Sequence, residues 1–325
     1  MLQRLGKWAY EWANRTHPWT DVYGLARSVL ALSPFMMLLF NDASILFRPA
    51  AGFERYPVCS DGLDISLFCL VPPSYPYLNA VRWLALIVLA VVISGWRPRY
   101  TGILHWWIAY SLQSSAVTID GGEQVSCVLT LLLLPVTLTD PRKWHWQRFD
   151  ASCAPPPSIY SRLLALTALV ALRVQVAAIY LHAGVAKLAI REWVDGTAVY
   201  YYLFDPTLGL SPTLKQVLAP ILTTSAVVLP TWGTLLLELL LFIGLFLPKP
   251  YWRPLLVLGI VFHALIAVTI GIITFALAMV GALILFLRPI EKEFAIASRL
   301  AGMFAYLRHA ESYLPRRKGA TAMPG

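Results

Sequence analysis

Long apolar runs separated by short polar interruptions dominate the chain, and their length is the first constraint on the fold. A helix needs about 20 residues to cross the hydrocarbon core of a bilayer. Eight runs approach that length, at about 22–40, 77–95, 101–117, 123–138, 162–188, 229–247, 254–271 and 273–287. The expected fold class is all-α, a polytopic transmembrane bundle of about eight spans. The last two runs are parted only by Gly271-Ile272-Ile273-Thr274. Residues 1–21 are polar, aromatic and charged, without a short apolar core before a small-residue cleavage site, so they predict an amphipathic cytoplasmic N-terminus rather than a cleaved signal. Residues 22–290 then form the membrane domain and 291–325 a basic cytoplasmic tail. That tail continues an amphipathic pattern from 288, with Ile290, Phe294, Ala297, Leu300, Phe304 and Leu307 on its apolar side. It either lies on the inner membrane surface or packs beneath the bundle.

Charge gives the bundle a direction. With both termini in the cytoplasm, 18 of the 26 Lys and Arg residues fall in cytoplasmic segments and only Arg48, Arg55, Arg191 and Lys215 fall outside. This asymmetry predicts N-in, C-in and an even number of spans. Composition agrees, with 58% hydrophobic and 13% charged residues and a mean hydropathy of +0.65. Soluble domains carry about 25% charged residues. The net charge of +9 is thus read as positive-inside loops, with lipid as the partner and not nucleic acid. Two outside loops are long, at about 41–76 and 189–228, and the cytoplasmic loop 139–161 reads as a stiff linker around Pro155-Pro156-Pro157.

Ionisable groups inside such spans normally face the bundle interior or a wet cavity. They are Arg27, Arg82, Glu123, Arg173, His182, Lys187, Glu238 and His263, with Asp120 and Gln124 flanking Glu123. At 1.5 Å per residue, Lys187 and Glu123 lie at the outer ends of their spans, with Glu238 and His263 midway. An outward-opening polar cavity would gather Lys187, Glu123, His263, Glu238 and His182. In it Lys187 acts as general base or anion anchor, with His263 and Glu123 as catalytic partners. The bland alternatives are a snorkelling lysine, a structural histidine at 182, and ion pairs of Arg173 with Glu238 or Lys187 with Glu123. Desolvation makes a neutral amine accessible, and a nearby carboxylate opposes it. The six histidines are scattered, and neither Cys-x-x-Cys nor His-Glu-x-x-His occurs, so no metal site is expected. Cys59 and Cys69 share the first outside loop, where a structural disulfide is expected. Cys127 and Cys153 are expected to stay reduced.

The stretch Tyr180-x-x-x-Ala183-Gly184-x-x-Lys187-Leu188, followed by Trp193-Val194-Asp195-Gly196, resembles the HTTM domain. That is the membrane domain shared by vitamin K-dependent gamma-glutamyl carboxylase and many bacterial relatives. Two further blocks match: Gly233-Thr-Leu-Leu-Leu-Glu238 with Phe262-His263-Ala264, and Asp120-Gly-Gly-Glu123-Gln124 with Leu129 to Pro135. Together they span about residues 100–290. The amino-terminal part resembles the bacterial sporulation-delaying protein B (SdpB) family through Val22 to Ser28, Leu39-Phe-Asn-Asp42, Cys59 and Ser66-Leu-Phe-Cys69-Leu. The carboxylase resemblance implies that Lys187 is a base toward a reduced quinone and that His263 lies nearby. The carboxylase has Asn-His where this chain has Gly122-Glu123. The bacterial resemblance implies a multi-pass protein of the bacterial inner membrane. It would mature a secreted antimicrobial peptide at the outer face, alongside a precursor peptide and a small SdpA-like companion. Three readings follow: a peptide-toxin maturation factor, a quinol- and oxygen-dependent carboxylase-like enzyme, and a non-enzymatic export, immunity or scaffold protein.

Overall fold

The computed structural model describes residues 2–50, 52, 55–60, 64–148 and 158–294. Among them the regular elements are all helical. The chain runs through α1 (Leu2–Arg15), α2 (Asp21–Phe40), the short α3 (Ala43–Leu46), α4 (Tyr75–Ser94), α5 (Pro98–Ser115), α6 (Gly122–Thr139) and α7 (Ile159–Leu188). It continues through the short α8 (Arg191–Val194), α9 (Ala198–Phe204) and α10 (Pro212–Leu222). The last three are α11 (Val228–Ile243), α12 (Trp252–Ile270) and α13 (Ile273–Leu287). Six helical stretches are long and apolar enough to cross a membrane, those of α2, α4, α6, α7, α11 and α12. The other two expected spans are α5, which is interrupted by Arg99, His105 and Gln113, and α13, which has only 15 residues. The expected Pro155–Pro157 linker, Cys153 and the tail from 295 lie outside the described residues.

Consecutive long helices reverse direction, as the hydrogen bonds between their ends record. At one end Val58 N–H donates to Ser115 O (3.1 Å) and Val117 N–H to Leu46 O (2.9 Å). At the other, Arg97 N–H donates to Lys143 O (2.7 Å), His145 N–H to Gly95 O (3.0 Å), and Phe294 N–H to the Asp21 carboxylate (2.9 Å). Among the described residues, the second end carries most of the lysines and arginines. Two apolar cores share α2. Its first half packs with α6, α7, α11, α12 and α13, and its second half with α3, α4 and α5. The contact of α2 with α13 is very close, because a Cβ on Gly281 would lie 2.7 Å from Leu30. Large apolar side chains of α4 and α12, among them Trp83, Ile87, Val257 and Val261, stay exposed, as a lipid-facing surface requires.

The loop expected to be a linker is in part a packed clasp. Asp140 accepts from Arg142 Nη2 (2.8 Å) and Nε (2.9 Å) and from the Tyr23 hydroxyl. Arg142 Nη1 also donates to His145 O (2.9 Å). His145 is fully buried. Arg27 can only donate, so its Nη1 meets His145 Nδ1 as acceptor at 3.4 Å. The proton then sits on Nε2, 3.3 Å from Ser28 Oγ. Burial first, and then the charges of Arg27 and Arg142, hold this imidazole well below its ordinary value of 6.5. A Cβ on Gly95, which has φ +86°, would collide with the His145 ring. At the opposite end Arg82 donates to Leu38 O (2.5 Å) and Asn41 O (3.3 Å), carbonyls at the C-terminus of α2, where a cation is favoured.

Gly95→Ala is expected to destabilise the protein by at least the roughly 1–2 kcal/mol of a left-handed residue with a side chain, whereas Gly233→Ala, with open space around it, changes little. Thermal unfolding in detergent checks both. A neutral, buried His145 contributes stability that is present above pH 6.5 and lost below it, because the unfolded chain takes up the proton first. Between pH 7.5 and 5.5 the wild type should lose stability with a component that His145→Gln lacks.

Candidate functional site

Tyr180, Gly184 and Lys187 are spaced by four and three residues, which puts them on one face of α7. Glu238 of α11 and His263 of α12 meet that face. Lys187 Nζ donates to Glu238 Oε1 at 2.7 Å and Oε2 at 2.9 Å. Its third proton points at Ala183 O (3.4 Å), and the ammonium lies 5.3 Å from the centre of the Trp193 ring. The Glu238 side chain is 6% exposed and that of Lys187 is 23% exposed, so the pair is shielded but reachable from one side. All three donors are occupied, which is the arrangement of a held ammonium.

The turn after α7 carries Trp193. The chain leaves α7 at Leu188, forms the single turn α8 and brings the Trp193 ring back over the lysine. Asp195 then accepts from Thr197 N (3.2 Å) and Oγ1 (2.6 Å), fixing the exit. Gly196 takes φ +86° there, and a Cβ would meet Val228 at 2.9 Å. The Trp-Val-Asp-Gly stretch is therefore the cover of the lysine site.

Two turns along α7 from Lys187, about 10 Å deeper, Tyr180 Oη and His263 Nε2 are 3.0 Å apart. Both side chains are about 98% buried. Rings of Phe262 and Phe275 flank the imidazole at 5.1 and 5.6 Å, and His263 Nδ1 has no hydrogen-bond partner. The result is a line of four groups, Lys187–Glu238 above and Tyr180–His263 below. Tyr180 was not among the expected site residues, although its seven-residue spacing to Lys187 was available as a signal.

The other expected residues lie elsewhere. Glu123 accepts from Asp120 N (3.0 Å). Asp120 in turn accepts from Gly122 N (2.8 Å), Phe275 N (3.1 Å) and the Thr274 hydroxyl. These carboxylates tie the N-termini of α6 and α13 together, where negative charge is favoured, and Glu123 does not meet Lys187. Glu238 takes Lys187 as partner, not Arg173. Arg173 stacks on Trp252 at 3.8 Å, about 21 Å along α7 from Lys187. His182 and Gln124 are exposed. Cys59 and Cys69 form a disulfide, and with Asp64 they make the metal-sized cluster found among the described residues; the bond removes both thiolates from that role. Four cavities lie at the basic end or beside the disulfide, and none of these is lined by Lys187, Glu238, Tyr180 or His263.

No family model matches the chain, and no solved structure matches it. Two proteins of Bacillus subtilis (strain 168) do. Uncharacterized protein YitO is 43% identical over 323 residues, covering 99% of this chain and 100% of the relative. Sporulation-delaying protein SdpB is 37% identical over 277 residues, covering 85% of this chain and 84% of the relative. At that identity and coverage, and with six apolar helices of spanning length, the chain belongs to the SdpB family of helical membrane proteins.

Proposed function

We propose that the protein is a membrane maturation factor for a secreted antimicrobial peptide. It acts through the Lys187–Glu238 pair on a precursor peptide presented at the outer face of a bacterial inner membrane. Support comes from the likeness to sporulation-delaying protein SdpB and from a charged pair whose lysine is 23% exposed while its glutamate is 6% exposed. The arrangement implied is eight crossings with both termini in the cytoplasm, the strongly basic end inside, and a small SdpA-like companion beside the precursor. Lys187 serves as a fixed ammonium that anchors an anionic group of the peptide, with Glu238 as its exchangeable counterion. Tyr180 and His263 form a hydrogen-bonded second layer beneath the pair. The observation that carries this reading is the double contact of Lys187 Nζ with Glu238, at 2.7 and 2.9 Å.

A base toward a reduced quinone requires a neutral amine, and a carboxylate in direct contact stabilises the charged one. The residues present do not fit that carboxylase-like role. A specific observation does favour a second reading: the pair is satisfied on its own, so locking α7 to α11 in an export, immunity or scaffold protein would be a sufficient role for it.

Intact-mass analysis of the cognate precursor separates these readings. The peptide is produced with the wild type, with Lys187→Ala and without the protein. A mass or processing change that depends on Lys187 supports maturation, and no change under any condition removes it. Stability supplies the control. Lys187→Met strands the Glu238 charge and is expected to cost somewhat less than the roughly 3–5 kcal/mol of a fully buried pair, since the lysine is 23% exposed. Lys187→Met combined with Glu238→Leu should regain most of that loss. A stable double variant that fails to mature the peptide makes the pair functional; one that still matures it makes the pair structural.

A further inference from the structure

We propose that the basic end of the bundle contains a specific site for the phosphate headgroup of an anionic phospholipid, between α1, α7, the α11–α12 turn and the end of α13. Two adjoining cavities, of about 220 and 190 Å³, share Lys249, Arg288 and Pro289 in their walls. Five cations line the joined space: Arg173, Lys249, Arg253, Arg288 and Lys292. Against them stands one lining carboxylate, Glu291, already paired with Lys249 at 2.9 Å. The excess of positive charge is therefore uncompensated by the wall itself.

Two of these cations have donors to spare. Arg173 Nε and Arg288 Nε are buried without a hydrogen-bond partner, and Arg173 takes part in none of the ion pairs among the described residues. Its guanidinium carbon lies over Trp252, 3.8 Å from the ring centre, a cation–π contact that holds it in place while its Nε stays without an acceptor. A buried donor without an acceptor is costly, and a phosphate oxygen is the acceptor that a guanidinium fork suits best.

The rest of the wall selects an amphiphile over a free ion. Leu166, Leu169, Val170 and Leu285 line the same cavity and continue into the apolar body of the bundle. Helical side chains lean toward the N-terminus of their helix, so Arg173 reaches toward the basic end, where headgroups lie. Trp12 of α1 closes another wall, while Trp8 and Tyr10 of the same helix stay exposed, as interfacial anchors do. Basic pockets between helices at the cytoplasmic side suit acidic headgroups. The quaternary ammonium of phosphatidylcholine would be repelled by the same cations. The ligand class is thus a diacyl phospholipid of net negative charge, held by its phosphodiester.

Native mass spectrometry of the full chain in detergent tests this, with dioleoyl phosphatidylglycerol, dioleoyl phosphatidylcholine and inorganic phosphate added in separate arms. Phosphatidylglycerol should be retained preferentially. Each removed cation should lower that retention about fivefold, equivalent to about 1 kcal/mol. Arg253→Gln with Lys292→Gln alters only exposed side chains, so it is read even if Arg173→Gln or Arg288→Gln fails to fold. Arg191→Gln, an exposed change near the opposite end, should have no effect. Equal retention of the two lipids overturns the proposal, as does retention untouched by Arg253→Gln with Lys292→Gln. Displacement of the lipid by millimolar phosphate would make this a simple anion site and equally overturn the lipid assignment.

Discussion

An apolar bundle offers no solvent to an ionised group, so each such group must be met by another part of the chain or lie within reach of the surface. The Lys187–Glu238 pair is where this constraint shapes the most structure. It joins α7 to α11 across the whole 189–227 excursion, and the excursion begins with the turn that lays Trp193 over the ammonium. Removing the lysine would leave Glu238, only 6% exposed, with no answering charge nearby. The helix contact, the turn and the tryptophan all meet at this one half-buried cation.

The same rule governs the two ends of the bundle differently. At the end bearing Asp120, negative charge is spent on helix N-termini, with backbone N–H groups of Gly122 and Phe275 as donors. At the basic end, fully buried Arg27 is met by neutral acceptors, Thr101 Oγ1 at 2.7 Å and a histidine nitrogen, while Arg142 has Asp140. Arg173 and Arg288 keep unpaired Nε donors. Arg27 Nε is likewise without a partner, but Arg27 is fully enclosed by the bundle, whereas Arg173 and Arg288 line a cavity at the basic end.

Much of the architecture was legible because a bilayer imposes a length that any apolar run either meets or misses. The runs at 22–40, 77–95, 123–138 and 162–188 correspond to α2, α4, α6 and α7 within a few residues. Partners were harder to read, because they depend on how each helix is rotated about its axis, and an apolar run carries little periodicity to report that. Glu238 was visible as an intramembrane acid, but nothing in its own run tells whether it faces Arg173 or Lys187. Tyr180 stood in the lysine motif but not among the expected site residues, because a tyrosine in a span carries no charge to single it out. The clasp at 140–148 was hidden for a different reason: Asp140, Arg142 and His145 look like ordinary loop residues until Gly95 and Tyr23 are seen to receive them.

The pairing also bears on which chemistry the site can support. A lysine that works as a base needs a free lone pair on Nζ, and here Nζ is surrounded by three acceptors, both Glu238 oxygens and Ala183 O. A lysine that works as an anchor needs only to exchange one anion for another, and that costs little when the incoming group replaces every hydrogen bond it breaks. The geometry lends itself to such an exchange. Glu238 occupies two of the three Nζ donors, and the lysine is the more exposed member of the pair. A carboxylate or other anion arriving from solvent would reach the ammonium before the acid, because the lysine is 23% exposed and the glutamate 6%. The anchor reading uses the pair as it stands, whereas the base reading requires the pair to be dismantled first.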